Sequence, residues 1–262
     1  GESGDTSSNT IRLRIENVDE NEAASTSGRE AYRLTVDPKS GIEIVGSDAA
    51  GGFYGIQTLR ALVPIAAYRA PLPELAIDAV RIEDAPRFAY RGQHLDVARN
   101  FQSKESVKKL LDLMAFYKLN RFHWHLTDDE GWRIEIEGIP ELTEVGSRRG
   151  HTRDESTRLV PSFGSGPHED AANSTGSGYY SQDDVIEILR YAADRHIEVI
   201  PEIDLPGHSR AAIKATAARA QRLQLSGDAT AADEFRLADP ADESQYESIQ
   251  MWRDNVVDVG LE

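Results

Sequence analysis

Hydrophobic and polar positions change their period along the chain, and each change predicts an element. Residues 11–15, Ile-Arg-Leu-Arg-Ile, alternate as a half-buried strand does. The rest of residues 1–29 is rich in Ser, Asp, Glu and Asn, which predicts a mobile loop after that strand. Residues 32–36 and 42–45 are β-branched runs separated by Asp37-Pro38-Lys39-Ser40-Gly41, the turn chemistry of a hairpin. Residues 51–63 read as a helix, with Tyr54, Leu59, Leu62 and Val63 for one face and Pro64 as its stop. Residues 1–86 are therefore expected to form a small α+β domain.

A linking strand over residues 75–82 leads to Pro86, and the rhythm then changes. Strands at 90–97, 121–126 and 197–203 alternate with helices at 103–119, 181–196 and 209–225. Strands and helices of these lengths, taken in turn, predict a parallel sheet, open or closed into a barrel. Ser181 with Asp184 makes a capping pair for the second helix. A further helix is expected over 244–259, where Tyr246, Ile249, Trp252, Val256 and Val257 recur near helical spacing. Two connections, 226–243 and 137–180, exceed the usual loop of about 4–6 residues. The second follows the C-terminal end of a strand, where α/β barrels place their active sites, although a tolerated surface insertion would look the same.

Composition narrows the partners. A chain of 262 residues with net charge −16 has too few cations for a nucleic-acid backbone, and a neutral or basic ligand suits it better. No run approaches the ~20 apolar residues that span a bilayer, so no membrane partner is expected. Residues 1–10 are polar, unlike the apolar core of a secretion signal. The absence of cysteine excludes disulfides, thiolate metal sites and cysteine nucleophiles.

Three strand ends carry polar residues that a core strand does not need: His94-Leu95-Asp96-Val97-Ala98-Arg99, His123-Trp124-His125-Leu126-Thr127-Asp128-Asp129-Glu130-Gly131-Trp132, and Pro201-Glu202-Ile203-Asp204-Leu205-Pro206-Gly207-His208. In a parallel sheet these ends share one edge, so Arg99, Asp128, Asp204 and His208 can converge. Arg99 offers a fork of donors for hydroxyls or a carboxylate, or it simply binds Asp96 or Asp128. Asp128 and Asp129 point to opposite sides if extended, so one of them can face a pocket. His208 can relay a proton if Asp128 or Asp204 fixes its tautomer. Trp124, Trp132, Tyr179 and Tyr180 can stack on a sugar ring or pack in the core. A rival reading uses His123 and His125 on one strand face, with Asp128 and His208, as the ligands of a metal-dependent hydrolase.

The longer motifs favour a different assignment. Tyr90-Arg91-Gly92-x-x-Leu95-Asp96-Val97-Ala98-Arg99-x-Phe101, then residues 117–133 ending Leu126-Thr127-Asp128-Asp129-Glu130-Gly131-Trp132-Arg133, then Pro201-Glu202-Ile203-Asp204-Leu205-Pro206-Gly207-His208, together resemble glycoside hydrolase family 20. The likeness covers residues 88 to about 215, and residues 32–64 resemble the small domain that precedes the barrel in that family. The resemblance implies an α/β fold comprising the first three βα units of a (β/α)8 TIM barrel over residues 87–262. It also implies a β-N-acetylhexosaminidase without metal or cofactor, acting on glycans or oligosaccharides ending in N-acetylglucosamine or N-acetylgalactosamine. Such enzymes retain anomeric configuration because the sugar's own 2-acetamido group attacks, giving an oxazolinium intermediate. By motif position Arg99 would bind substrate hydroxyls, Asp128 and His208 would support the general acid, and Asp204 would be a second supporting carboxylate. His123 and His125 would then be structural.

The family's general acid Glu and its Asp neighbour belong to a His-x-Gly-Gly-Asp-Glu motif, and no such motif occurs in residues 1–262. The expectation is a chain that stops before the fourth barrel strand. The rest of the barrel would be a second chain or a missing C-terminal region, and this chain alone would be inactive. A non-catalytic N-acetylhexosamine-binding or interaction protein is the alternative. The family also implies an extracellular or periplasmic location.

Overall fold

The computed structural model describes residues 10–16, 18, 28–168, 174–239 and 241–260. Most of the predicted mobile loop before Glu30 lies outside the described residues. The chain divides into two compact units: Gly1–Gly92 with Leu110–Arg121 and Ala193–Glu198, and Gln93–Lys109 with Phe122–Ala192 and Val199–Glu262.

In the first unit, β1 (Ile11–Ile15), β2 (Tyr32–Asp37), β3 (Gly41–Gly46) and β4 (Val80–Asp84) form one sheet in the order β1-β3-β2-β4. The β2–β3 hairpin is antiparallel in the register Val36↔Ile42, and β1 runs parallel to β3. Its turn forms as the residues predicted: the Asp37 carboxylate accepts from the amides of Lys39 and Ser40, and Gly41 takes φ 84°. α1 (Ala49–Leu62) is capped by Asp48, which accepts from the Gly51 amide at 2.7 Å. It contributes Tyr54 to a core with Tyr32, Leu34 and Ile44, and Phe53, Ile56 and Leu59 pack around it. Gly55 permits this approach, because a Cβ there would lie 2.5 Å from Ile44 Cγ2. The linking strand starts later than expected, at Val80; it pairs with β2 from Val80↔Val36 to Asp84↔Tyr32.

The rest of the chain supplies β5 (Gly92–Asp96), α2 (Lys104–Phe116), β6 (Arg121–His125), β7 (Thr127–Asp128), β8 (Gly131–Trp132), α3 (Glu141–Glu144), α4 (Gln182–Ala193), β9 (Glu198–Glu202), α5 (Arg210–Ser226) and α6 (Ala229–Asp233). Strands β5, β6 and β9 form one sheet in that order. Hydrogen bonds at both ends run in the same sense: Asn120 to Arg91 and Val97 to His125 on one side of β6, Glu198 to Asn120 and Leu126 to Glu202 on the other. The strands are therefore parallel, with helices in the connections, which makes an α/β fold. Ser181 and Asp184 exchange the predicted capping bonds at the start of α4. The small residues of α5, Ala211, Ala212, Ala215 and Ala218, pack with Trp132, Leu142, Val145 and Leu159.

The expected helix over 244–259 does not form. Its backbone groups are committed elsewhere: Val257 donates to Pro206 O, Asp258 to Leu237 O, and Asn255 to the Tyr246 hydroxyl, while Ile249 is left 94% exposed. Apolar spacing suggested a helix, but tertiary hydrogen bonds claimed the donors that an i to i−4 ladder would use. The described parts of the connection over 137–180 are likewise tied down. The guanidinium of Arg133 is fully buried and donates to the carbonyls of Val97, Ala98, Ser147, Gly176 and Gly178. Arg149 repeats the device on Gly176 O and Arg99 O.

Candidate active site

The C-terminal ends of β5, β6 and β9 lie along one edge because the strands are parallel. Arg99, three residues beyond β5, is surrounded by carboxylates. Its Nη2 is 2.5 Å from Asp128 Oδ2, its Nη1 3.0 Å from Asp96 Oδ2, and its Nε 3.0 Å from Glu130 Oε2. Asp128, 1% exposed, also meets His125 Nε2 at 2.9 Å and His208 Nδ1 at 3.1 Å. Asp129 accepts from Asn255 Nδ2 at 2.9 Å and from the Arg210 amide, and its Oδ2 is 3.6 Å from His208 Nδ1. The ligating atoms of Asp204, His125 and Asp128 lie within 4.8 Å of one another. Arg99, Asp128, Asp204 and His208, distant in sequence, are thus gathered at one edge.

Electrostatics follows from that packing. Burial would push Asp128 up, but bonds from His125 and the Asp129 amide, with the charges of Arg99 and His208, hold its carboxyl below the ordinary value. Burial opposes a charged His125, yet its contacts with Asp128 and Glu202 prevail and push it up to about 9. Asp204 is raised, first by burial and then by the charges of Glu202 and Asp128. Asp129 is raised by burial, with the Asp128 and Glu130 charges adding to it. The site therefore sets an ionised carboxylate, Asp128, beside one that holds a proton more readily, Asp204. His208, with 40% of its side chain exposed, is the accessible end of the Asp128–His208 pair.

The structure decides between readings that the sequence left open. Trp124 and Tyr180 are buried and pack edge to face, with the Tyr180 hydroxyl donating to Gln102 O. Trp132 is in the core, its indole donating to Ile134 O. Of the four aromatics, Tyr179 is the exposed one. Among the described residues, His123, His125, Asp128 and His208 do not form one ligand set: His123 groups with His94 and Glu202, His125 with Asp128 and Asp204, and His208 with Asp128 and Asp129.

Other members were not singled out in the sequence. Glu130 bridges Arg99 and the Trp252 indole, whose Nε1 donates to it at 2.8 Å. Arg210 joins Glu155 to Asp254, and Lys214 Nζ lies 2.5 Å from Asp254 Oδ2. Glu130 sits inside the second motif, which was signal enough to consider it. Trp252, Asp254 and Asn255 come from the segment read as an amphipathic helix, so no local pattern marked them.

Known proteins resemble this chain along most of its length. Residues 88–260 match the catalytic domain of glycosyl hydrolase family 20, and residues 2–85 match domain 2 of the same family. A beta-hexosaminidase of Vibrio vulnificus is 47% identical over 240 residues, covering 92% of this chain and 27% of the relative. The N,N'-diacetylchitobiase of Vibrio harveyi is 49% identical over 222 residues, 85% of this chain and 24% of the relative. Among solved structures, an exo beta-N-acetylglucosaminidase of Vibrio harveyi in complex with N-acetylglucosamine superposes with a TM-score of 0.71 at 37% identity, covering 94% of this chain and 33% of that one. The Streptomyces plicatus N-acetyl-beta-hexosaminidase in complex with Thio-NAglucal gives 0.62 at 39% identity, covering 80% and 36%. The chain thus spans about a quarter of the length of the curated relatives it matches. With its family match running through all three strand-end motifs, the chain belongs to glycosyl hydrolase family 20.

Proposed function

We propose that this chain provides the first three βα units of a (β/α)8 barrel, and with them one wall of the pocket of a β-N-acetylhexosaminidase. The observation that carries this is the Arg99–Asp128–His208 constellation, built from three separate strand ends. Three carboxylates fix the Arg99 guanidinium in one direction, as needed to hold hydroxyls of a terminal sugar. Asp128 keeps the Nδ1 side of His208 and leaves Nε2 for a proton passed to or from a general acid. Asp204, the carboxyl that gains protons more readily, is the second support. The acetamido group of the substrate attacks its own anomeric carbon, so the configuration is retained.

Residues 1–262 contain no His-x-Gly-Gly-Asp-Glu motif, so the acid must come from further polypeptide. An exported location, extracellular or periplasmic, suits an enzyme acting on glycans. The test is hydrolysis by the full-length protein: an aryl N-acetyl-β-glucosaminide is cleaved and the matching aryl β-glucoside, which lacks the attacking acetamido group, is not. Equal cleavage of both, or binding of N-acetylglucosamine without hydrolysis of either, sinks the assignment.

A further inference from the structure

The same sheet presents a second group that the Arg99 site does not use. His94 on β5, His123 on β6 and Glu202 at the end of β9 converge: His123 Nε2 is 2.7 Å and His94 Nε2 3.6 Å from the one oxygen, Glu202 Oε2. The His94 and His123 rings meet edge to face with centroids 4.8 Å apart. All three ligating atoms lie within 4.8 Å of one another. We propose that His94 Nε2, His123 Nε2 and Glu202 Oε2 form a binding site for a divalent transition metal of the Zn2+ class.

Two imidazoles and a carboxylate are the donors such ions take, whereas Mg2+ and Ca2+ prefer oxygen alone. A tetrahedral ion with bonds of ~2.1 Å sets its ligands about 3.4 Å apart. The His94–Glu202 distance already matches that spacing, and the His123–Glu202 distance reaches it by opening about 0.7 Å. Glu202 Oε2, the oxygen shared by both contacts, is buried and forms no hydrogen bond among the described residues, so an ion would supply the partner it lacks. His125 does not ligate in this arrangement. Its Nε2 is held by Asp128, and its Nδ1 lies 3.0 Å from Glu202 Oε2, the same oxygen that would ligate. The net charge of −16 raises the local concentration of cations. His125 lies between this group and the Arg99–Asp128–His208 cluster, but none of the three ligands belongs to that cluster, and the site does not depend on the glycosidase reading.

The test is calorimetric titration of the metal-stripped chain with Zn2+, alongside His94→Gln, His123→Gln, His208→Ala and the control His151→Ala. One ion binds per chain, and affinity falls roughly tenfold or more in each of the two Gln variants but not in the His151 control. Co2+ added to the parent broadens the ring signals of His94 and His123 in proton NMR, a readout that needs no folded variant. No stoichiometric binding, unchanged affinity in either Gln variant, or loss confined to His208→Ala overturns the proposal.

Discussion

Asp128 is buried and faces Arg99, His125 and His208 together. Removing one partner of a buried charged pair exposes the desolvation cost of the others. Asp128→Asn is expected to lower unfolding stability by about 3 kcal/mol, read by urea denaturation near neutral pH. The pH dependence has a definite sign. The folded-state pKa of Asp128 lies below its ordinary value of 3.8, so its contribution is present above 3.8 and is lost as pH falls through the lower folded value. The stability gap between the parent and Asp128→Asn should therefore hold down to about pH 5 and narrow in more acid solution. A gap that stays constant to the acid limit would mean that the carboxylate is not favoured by its surroundings. Asp129 looked equivalent in sequence; strand alternation gave the two opposite sides, yet both carboxylates come near His208. What the strand period could not tell is that Asp129 accepts from the amide of Arg210, at the start of α5.

At the scale of elements, legibility followed the range of the interactions. The β2–β3 hairpin and the α4 start were readable because Asp37-Pro38-Lys39-Ser40-Gly41 and Ser181 with Asp184 close their own hydrogen bonds within three or four residues. The segment over 244–259 was not, since Trp252, Asp254 and Asn255 reach Glu130, Arg210 and Asp129 far away in sequence. The long connection over 137–180 was noticed for its length, but its order depends on Arg133, which no local pattern distinguishes from a surface arginine. Five carbonyls, four of them in buried bonds, look to that guanidinium. Arg133→Met should cost about 3 kcal/mol or more, since charge-assisted bonds are lost and buried acceptors orphaned. In hydrogen exchange the Gly178 and Tyr180 amides, which bond to Ser147 O and Arg133 O, should lose protection while the middle of α5 keeps its own. Uniform loss across the chain would contradict this local role. Gly178 adds a check: with φ 142° and Phe101 Cδ1 2.3 Å from any Cβ, Gly178→Ala should loosen the same stretch.

For the molecule as a whole, the family came from three long motifs in order, and the parallel sheet explains why they belong together. Polypeptide 1–262 carries the Arg99, Asp128, Asp204 and His208 side of the proposed pocket but no general-acid motif. Supporting residues cannot replace a proton donor in reach of the leaving group. Purified 1–262 should therefore release no aryl product above background from an aryl N-acetyl-β-glucosaminide, and ordinary turnover by it would refute that division of roles. The most direct test of the central claim is kcat/KM for the same substrate in the full-length protein carrying Arg99→Ala or His208→Ala. Each substitution should lower it by about 100-fold or more with the fold intact; rates unchanged in both would contradict the account.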